Sequence, residues 1–170
     1  FIDDNNGILP RLEVSVRFEA HFNLRHVGSI PLGGGAFSHN YLSGGQFFFR
    51  DVAAGVVLLT VEFQNGLFTA RGGENSWFTT GALQVDHGAG ASVNMTWGGA
   101  ELPGYGLMPG PLNGLPRGFA FDLTALNHDG RIPWGGQLPG VPLNPNNRQP
   151  AQRWWSESSF SATAFVPAPG

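Results

Sequence analysis

Five histidines, His21, His26, His39, His87 and His128, are the residues of this 170-residue chain best suited to chemistry near neutral pH. They are scattered: there is no His-Glu-x-x-His run, no pair at the strand spacing of two, and no cysteine to complete a transition-metal site. His21 falls on the polar side of an alternating segment and reads as a solvated imidazole. Acyl transfer has no signature, since Gly-x-Ser-x-Gly is absent. Asp122, Asp129 and Glu157 could pair for acid–base hydrolysis only if the fold brings them together, and chance proximity is the simpler expectation. Two oxygen-rich turns, Asp3-Asp4-Asn5-Asn6-Gly7 and Asn127-His128-Asp129-Gly130, make Asp3, Asn5 and Asp129 the calcium candidates, with calcium the one cofactor left open. The first turn lacks the downstream bidentate Glu, and both read more simply as solvated turns. Trp134, in a Gly-rich loop, and the adjacent Trp154 and Trp155 form a candidate aromatic platform for sugar rings, whereas Trp77 and Trp97 read as core. Asn94-Met95-Thr96 fits the glycosylation pattern but lies mid-strand. No catalytic residue is marked, so the chain is not expected to be an enzyme.

The elements that must position these residues are strands. In Arg11–Leu24 the apolar Leu12, Val14, Val16, Phe18, Ala20, Phe22 and Leu24 alternate with Glu13, Ser15, Arg17, Glu19, His21 and Asn23. Successive side chains of a strand point to opposite faces, so one face is apolar and the other wet; a helix would smear the same residues around its surface. At about 3.3 Å per residue the segment spans roughly 45 Å, about twice a common strand, and it is the expected spine of the fold. Gly28–Gly45 reads as a loop around Pro31 and Gly33-Gly34-Gly35, without the Lys-Ser/Thr of a phosphate loop. Gln46–Arg50 and Gly55–Phe63 read as strands, and Asn65-Gly66 predicts a hairpin joining Val57–Phe63 to Leu67–Arg71. Ser76–Thr80, Ala82–His87, Ala91–Trp97, Gly118–Leu126 and Trp154–Val166 complete the strands; Gly98–Gly118 and Asn127–Gln152 are Pro/Gly-rich excursions. The pattern predicts an all-β fold, an antiparallel β-sandwich of jelly-roll type with about nine strands and long Gly/Pro-rich loops. Residues 1–10 are expected to be a tail, 11–166 a single domain, and 167–170 the remnant of a sorting motif.

Composition narrows the partners. Charged residues are 12%, about half the usual share. All nine basic residues are Arg, and the net charge of −3 comes with no basic run, so nucleic acid has no electrostatic footprint here. No apolar run reaches the roughly 20 residues of a membrane-spanning helix. The 14 Phe and 5 Trp suffice for a core without disulfides, which the absence of Cys excludes. A start at Phe1 rather than Met fits a mature product whose signal peptide has been removed, or a trimmed chain.

The final Phe165-Val166-Pro167-Ala168-Pro169-Gly170 resembles the opening of a PEP-CTERM sorting signal in its VPAPG variant. The preceding Trp-Trp-Ser-Glu-Ser-Ser-Phe-Ser strand shares the flavour of those exported bacterial proteins, and the likeness covers about fifteen residues. The family's apolar helix and basic cluster are not in this chain. The resemblance implies export to the cell surface or extracellular matrix rather than any activity. Taken with the long N-terminal strand, it leads us to expect a secreted structural protein that assembles with copies of itself into filaments by β-strand addition. The apolar face Leu12, Val14, Val16, Phe18, Ala20 and Phe22 is the expected contact. The alternatives are a lectin-like module contacting extracellular polysaccharide through Trp134, Trp154 and Trp155 and, more remotely, an exported carboxylate hydrolase.

Overall fold

The computed structural model describes residues 13–86, 90–112, 116–130 and 139–164. These form an all-β fold of nine strands in one antiparallel sheet: β1 (Val16–Gly33), β2 (Ala36–Asp51), β3 (Val57–Gly73), β4 (Ser76–Asp86), β5 (Ser92–Trp97), β6 (Gly110–Pro111), β7 (Pro116–Asn127), β8 (Val141–Pro142) and β9 (Trp155–Ala164). The strand order is β1-β2-β3-β4-β7-β9; β5 joins β3, β6 joins β5 and β8 joins β4. A 3-10 turn, Pro103–Tyr105, lies in the long excursion after β5, and no helix of the described residues is long and apolar enough to cross a membrane.

The sheet becomes a sandwich by splitting at β3. Its first half, Leu59–Gln64, pairs with β5, whereas Leu67–Gly73 pairs with β4, and β2 runs along the other side of both halves. Rings of β2 and β7, three places apart in strand order, then meet face to face: Phe47 lies 5.2 Å from Phe119 and 5.3 Å from Phe121 between ring centroids. Phe18 of β1 also reaches Phe121, at 5.1 Å. Strands so far apart in one sheet can touch only if the sheet folds over itself, which leaves β1 and β9 as the ends of the strand order. Phe47, Val61, Phe63, Phe68, Leu83, Val85, Phe119 and Phe121 fill the space between the layers, the burial of alternate residues that drives sandwich formation.

Three expectations are corrected. Asn65-Gly66 is not a hairpin. Asn65 sits at φ 56°, Gln64 and Asn65 form a bulge opposite Gly44, and β3 continues through them. The left-handed residue kinks β3 where its outer neighbour changes from β5 to β4, with Asn65 Nδ2 donating to the Gly90 carbonyl at 2.9 Å. The primed turn lies instead at Gly34-Gly35, both at positive φ, between the paired Gly33 and Ala36. Gly28–Gly45 is accordingly no loop but the far end of a long β1–β2 hairpin. Finally, Ser76–Thr80 and Ala82–His87 are not separated at Gly81: β4 runs on, and a Cβ at Gly81 would come within 3.0 Å of the Phe68 ring, so the glycine makes room for an aromatic rather than ending a strand.

Candidate functional site

β1 is the first candidate. Among the described residues it pairs only with β2, so the outer N–H and C=O groups of an 18-residue strand have no ladder partner there. Edges of this kind accept another strand unless charge, proline or brevity protects them. Here the strand carries Val16, Val27, Ile30 and Leu32, exposed to 40%, 48%, 56% and 51%; its charges, Arg17, Glu19 and Arg25, all precede the Val27 bulge, and Pro31 is the one residue beyond it that protects an edge. Within the expected contact face the structure divides the residues. Phe18 packs 5.4 Å from Phe47 and 5.2 Å from Phe49, and Phe22 packs against Phe47 and Trp154, so both face the protein's own core. Val16 and Ala20 are exposed and Val14 is half-buried; Leu12 lies outside the described residues. The opposite end of the strand order, β9, pairs only with β7 among the described residues and carries Trp155, which is 48% exposed.

A second candidate lies on the outer face of β1, β2, β3 and β5. The ladders place His21 opposite Gln46, Gln46 opposite Glu62, and Glu62 opposite Asn94, one straight row across four strands. Beside the row is a trough of about 670 Å³ with Gly44 and Gly45 on its floor and Asn23, Gln64 and Ser92 on its sides. Gly44, opposite the outward Asn23, puts no side chain on the floor, while Gly45 lies opposite the inward Phe22 and Phe63, and a Cβ there would stand 2.2 Å from the His21 carbonyl, so the glycine lets β1 approach β2 beneath the trough. Gln46 Nε2 donates to Glu62 Oε1 at 2.7 Å. The rim toward the start of β1 is Phe48, half-buried on the same face, with the His21 ring edge-on to it at 5.9 Å. Beyond it, Glu19 is held between Arg17 (3.5 Å) and Arg50 (3.6 Å).

The third feature had no trace in the sequence. Val27 is an extra residue in β1, a bulge between His26 and Gly28, so His26 and Ser29 face the same side although three positions apart. Ser29 stands opposite His39 and His26 opposite Tyr41. A hydrogen-bonded chain results: His26 Nε2 with Ser29 Oγ (2.9 Å), Ser29 Oγ with His39 Nδ1 (2.8 Å), and His39 Nε2 with the Gly73 carbonyl (2.8 Å). The carbonyl only accepts, so Nε2 of His39 carries a proton. In the neutral ring Nδ1 then accepts from the Ser29 hydroxyl, which in turn accepts from His26 Nε2–H. Hydroxyl, imidazole and fixed acceptor follow the order that activates serine nucleophiles, but His39 is wholly buried, and the chain acts as a pin joining β1, β2 and the end of β3. Burial, then His39 and Arg148, holds His26 below its ordinary value of 6.5 against a backbone hydrogen bond at Gly28. Next to the pin, Tyr41 donates to the Arg148 carbonyl (2.6 Å) and accepts from Trp77 Nε1 (3.0 Å), and burial pushes its phenol up to about 12.

The remaining sequence candidates do not converge on one place. Trp154 packs 5.6 Å from the buried Trp77, so of the adjacent pair only Trp155 faces outward, standing over Gly130. Trp134, Asp3 and Asn5 lie outside the described residues. Asn127–Gly130 is a turn in which Asn127 Oδ1 accepts the backbone N–H groups of Asp129 (3.2 Å) and Gly130 (2.8 Å); Asp129 projects from that turn. Asp122 and Glu157 are diagonal neighbours on adjacent strands, because Thr124 is opposite Glu157 and Asp122 is opposite Ser159. Both are exposed on an open face, away from the trough. Comparison with protein-family models, curated proteins and solved structures returns no match.

Proposed function

We propose that this chain is a secreted structural protein of the cell surface or extracellular matrix that assembles with copies of itself by β-strand addition at β1. The observation that carries this reading is the outer edge of β1: 18 residues paired on one side only among the described residues, with four large apolar side chains exposed along it. Because β1 is already paired with its own β2, the neighbour contributes the added strand, and the edge of β9, which pairs only with β7 among the described residues, is the one this chain offers. A β1–β9 contact uses two different surfaces, so it repeats head to tail rather than closing as a two-fold dimer, and it extends as a filament wherever the rotation between copies does not close a ring. Main-chain ladder bonds supply affinity, and alternating side chains fix the register. The surface location rests on the resemblance of the Val166-Pro167-Ala168-Pro169-Gly170 end to an exported family's sorting signal; those residues lie outside the described ones.

Negative-stain microscopy and light scattering over a concentration series test the reading. Wild-type protein is expected to form filaments, and the double variant Val27→Lys/Ile30→Lys to remain a folded monomer, because two charges then line the joining edge. Wild-type protein that stays monomeric across the series would overturn it.

A further inference from the structure

We propose that the trough on the outer face of β1, β2, β3 and β5 binds a neutral polysaccharide along the row His21, Gln46, Glu62 and Asn94. The middle of the row, Gln46 of β2 and Glu62 of β3, lies on strands paired on both sides, so over the face of the sheet their backbones are spent on one another. A ligand lying across that face, rather than along the β1 edge, finds no ladder to extend, and recognition there falls to side chains. Those side chains are amides, a carboxylate, an imidazole and, in Ser92, a hydroxyl, a mixed set of donors and acceptors that complements a chain of hydroxyl groups. The Gln46–Glu62 hydrogen bond fixes two of them in place, so less side-chain freedom is lost when a ligand docks.

Shape and charge narrow the class further. Strands lie about 4.8 Å apart, so four of them give a row of roughly 14 Å, long enough for consecutive sugar units rather than one. Gly44, opposite the outward Asn23, leaves the trough floor open to the backbone level, and the half-buried Phe48 beside His21 offers an apolar plate for the C–H face of a ring. Among the described residues Glu62 is the one formally charged side chain lining the trough; Glu19, with Arg17 and Arg50 on either side of it, lies beyond the Phe48 rim. An anionic polymer would meet that carboxylate with no Lys or Arg among the described lining residues to offset it, whereas a neutral polymer has no such penalty. The site lies on a face and the proposed assembly contact at an edge, so the two readings stand or fall separately. If filaments form, they multiply a weak single site into avidity.

The test is affinity electrophoresis of the full chain in native gels cast with hydroxyethylcellulose, dextran or galactomannan, with alginate as the anionic comparison. If wild-type protein forms filaments, every variant is made in the Val27→Lys/Ile30→Lys background. Retardation is expected in at least one neutral polymer and not in alginate. Gln46→Ala and Glu62→Ala are each expected to weaken it at least tenfold with an unchanged melting curve, since both side chains are exposed, and Trp155→Ala is expected to leave it intact. Mobility unaffected by all three neutral polymers would overturn the proposal. So would retardation that survives the Gln46→Ala/Glu62→Ala double variant, or that disappears in Trp155→Ala alone, which would place the site at the tryptophans instead.

Discussion

At the scale of single residues, the His26–Ser29–His39 pin and the Tyr41–Trp77 pair set how stability responds to pH. His26 is held below its ordinary 6.5 in the fold, so between that lowered value and 6.5 the unfolded chain binds more protons than the folded one. Stability then rises with pH through this window, and the contribution is lost as pH falls from 6.5 toward the folded-state value. Thermal melts between pH 7.5 and 4.5 should show this loss, and His26→Gln should flatten that part of the profile. Tyr41 has the opposite sign: its phenol titrates near 12 in the fold against an ordinary 10.0, so its share of stability is complete below 10 and is lost as pH rises toward 12. Tyr41→Phe leaves the Arg148 carbonyl and the buried Trp77 N–H without the hydroxyl that joins them. It should cost about 1–3 kcal/mol, read as a fall in denaturant midpoint with unchanged slope. None of this was visible in the sequence, because Ser29 and His39 are ten residues apart and meet only through the register of β1 and β2. A spacing of three puts His26 and Ser29 on opposite faces of a regular strand, and only the Val27 bulge brings both to one face.

At the scale of elements, the period-two pattern was legible where one face is buried. In β1 the half-buried Phe22, Leu24 and His26 alternate with the exposed His21, Asn23 and Arg25, as the alternation predicts. What misled was glycine and asparagine chemistry read locally. Asn-Gly favours positive φ, and Asn65 does adopt it, but whether such a residue reverses the chain or kinks it depends on the strands alongside, which is a tertiary fact. Gly33-Gly34-Gly35 marked a true turn, yet the Gly- and Ser-rich stretch after it pairs as β2 because Tyr41 and Phe47 within it are fully buried and anchor it. The polar row was hidden for the same reason, since His21, Gln46, Glu62 and Asn94 come from four separate segments aligned by three ladders. Asn65 gives the test at this scale. Asn65→Gly should stay within about 0.5 kcal/mol, losing a side-chain bond but keeping the conformation, whereas a β-branched residue opposes the left-handed backbone. Asn65→Val should cost about 1–2 kcal/mol from the strained backbone alone, and paired melts of the two variants separate conformation from the lost bond to Gly90.

At the scale of the whole molecule, the same strand serves two surfaces, and they respond to mutation in opposite ways. Inward, Phe18 and Phe22 of β1 join Phe47, Phe121 and Trp154, the contacts that hold the folded-over sheet together. Outward, Val27 and Ile30 sit exposed on the open edge and contribute nothing to that core. Phe18→Ala should therefore lower stability by roughly 2–4 kcal/mol, a little under the cost of a fully buried Phe, while leaving the edge and any assembly through it in place. Val27→Lys/Ile30→Lys should do the reverse, with a melting temperature close to wild type and no filaments. The head-to-tail arrangement makes a sharper demand, because a contact between β1 and a neighbour's β9 can be blocked from either side. A synthetic peptide of residues 155–164 in excess should occupy the β1 edge and end filament growth. A peptide of residues 16–33 should do the same at β9, and a scrambled peptide of either composition should do neither. Growth rates by light scattering give the readout, with the folded monomer monitored by circular dichroism. If only the β1-derived peptide inhibits, copies join β1 to β1; that contact uses one surface twice, and assembly would stop at a closed dimer instead of extending.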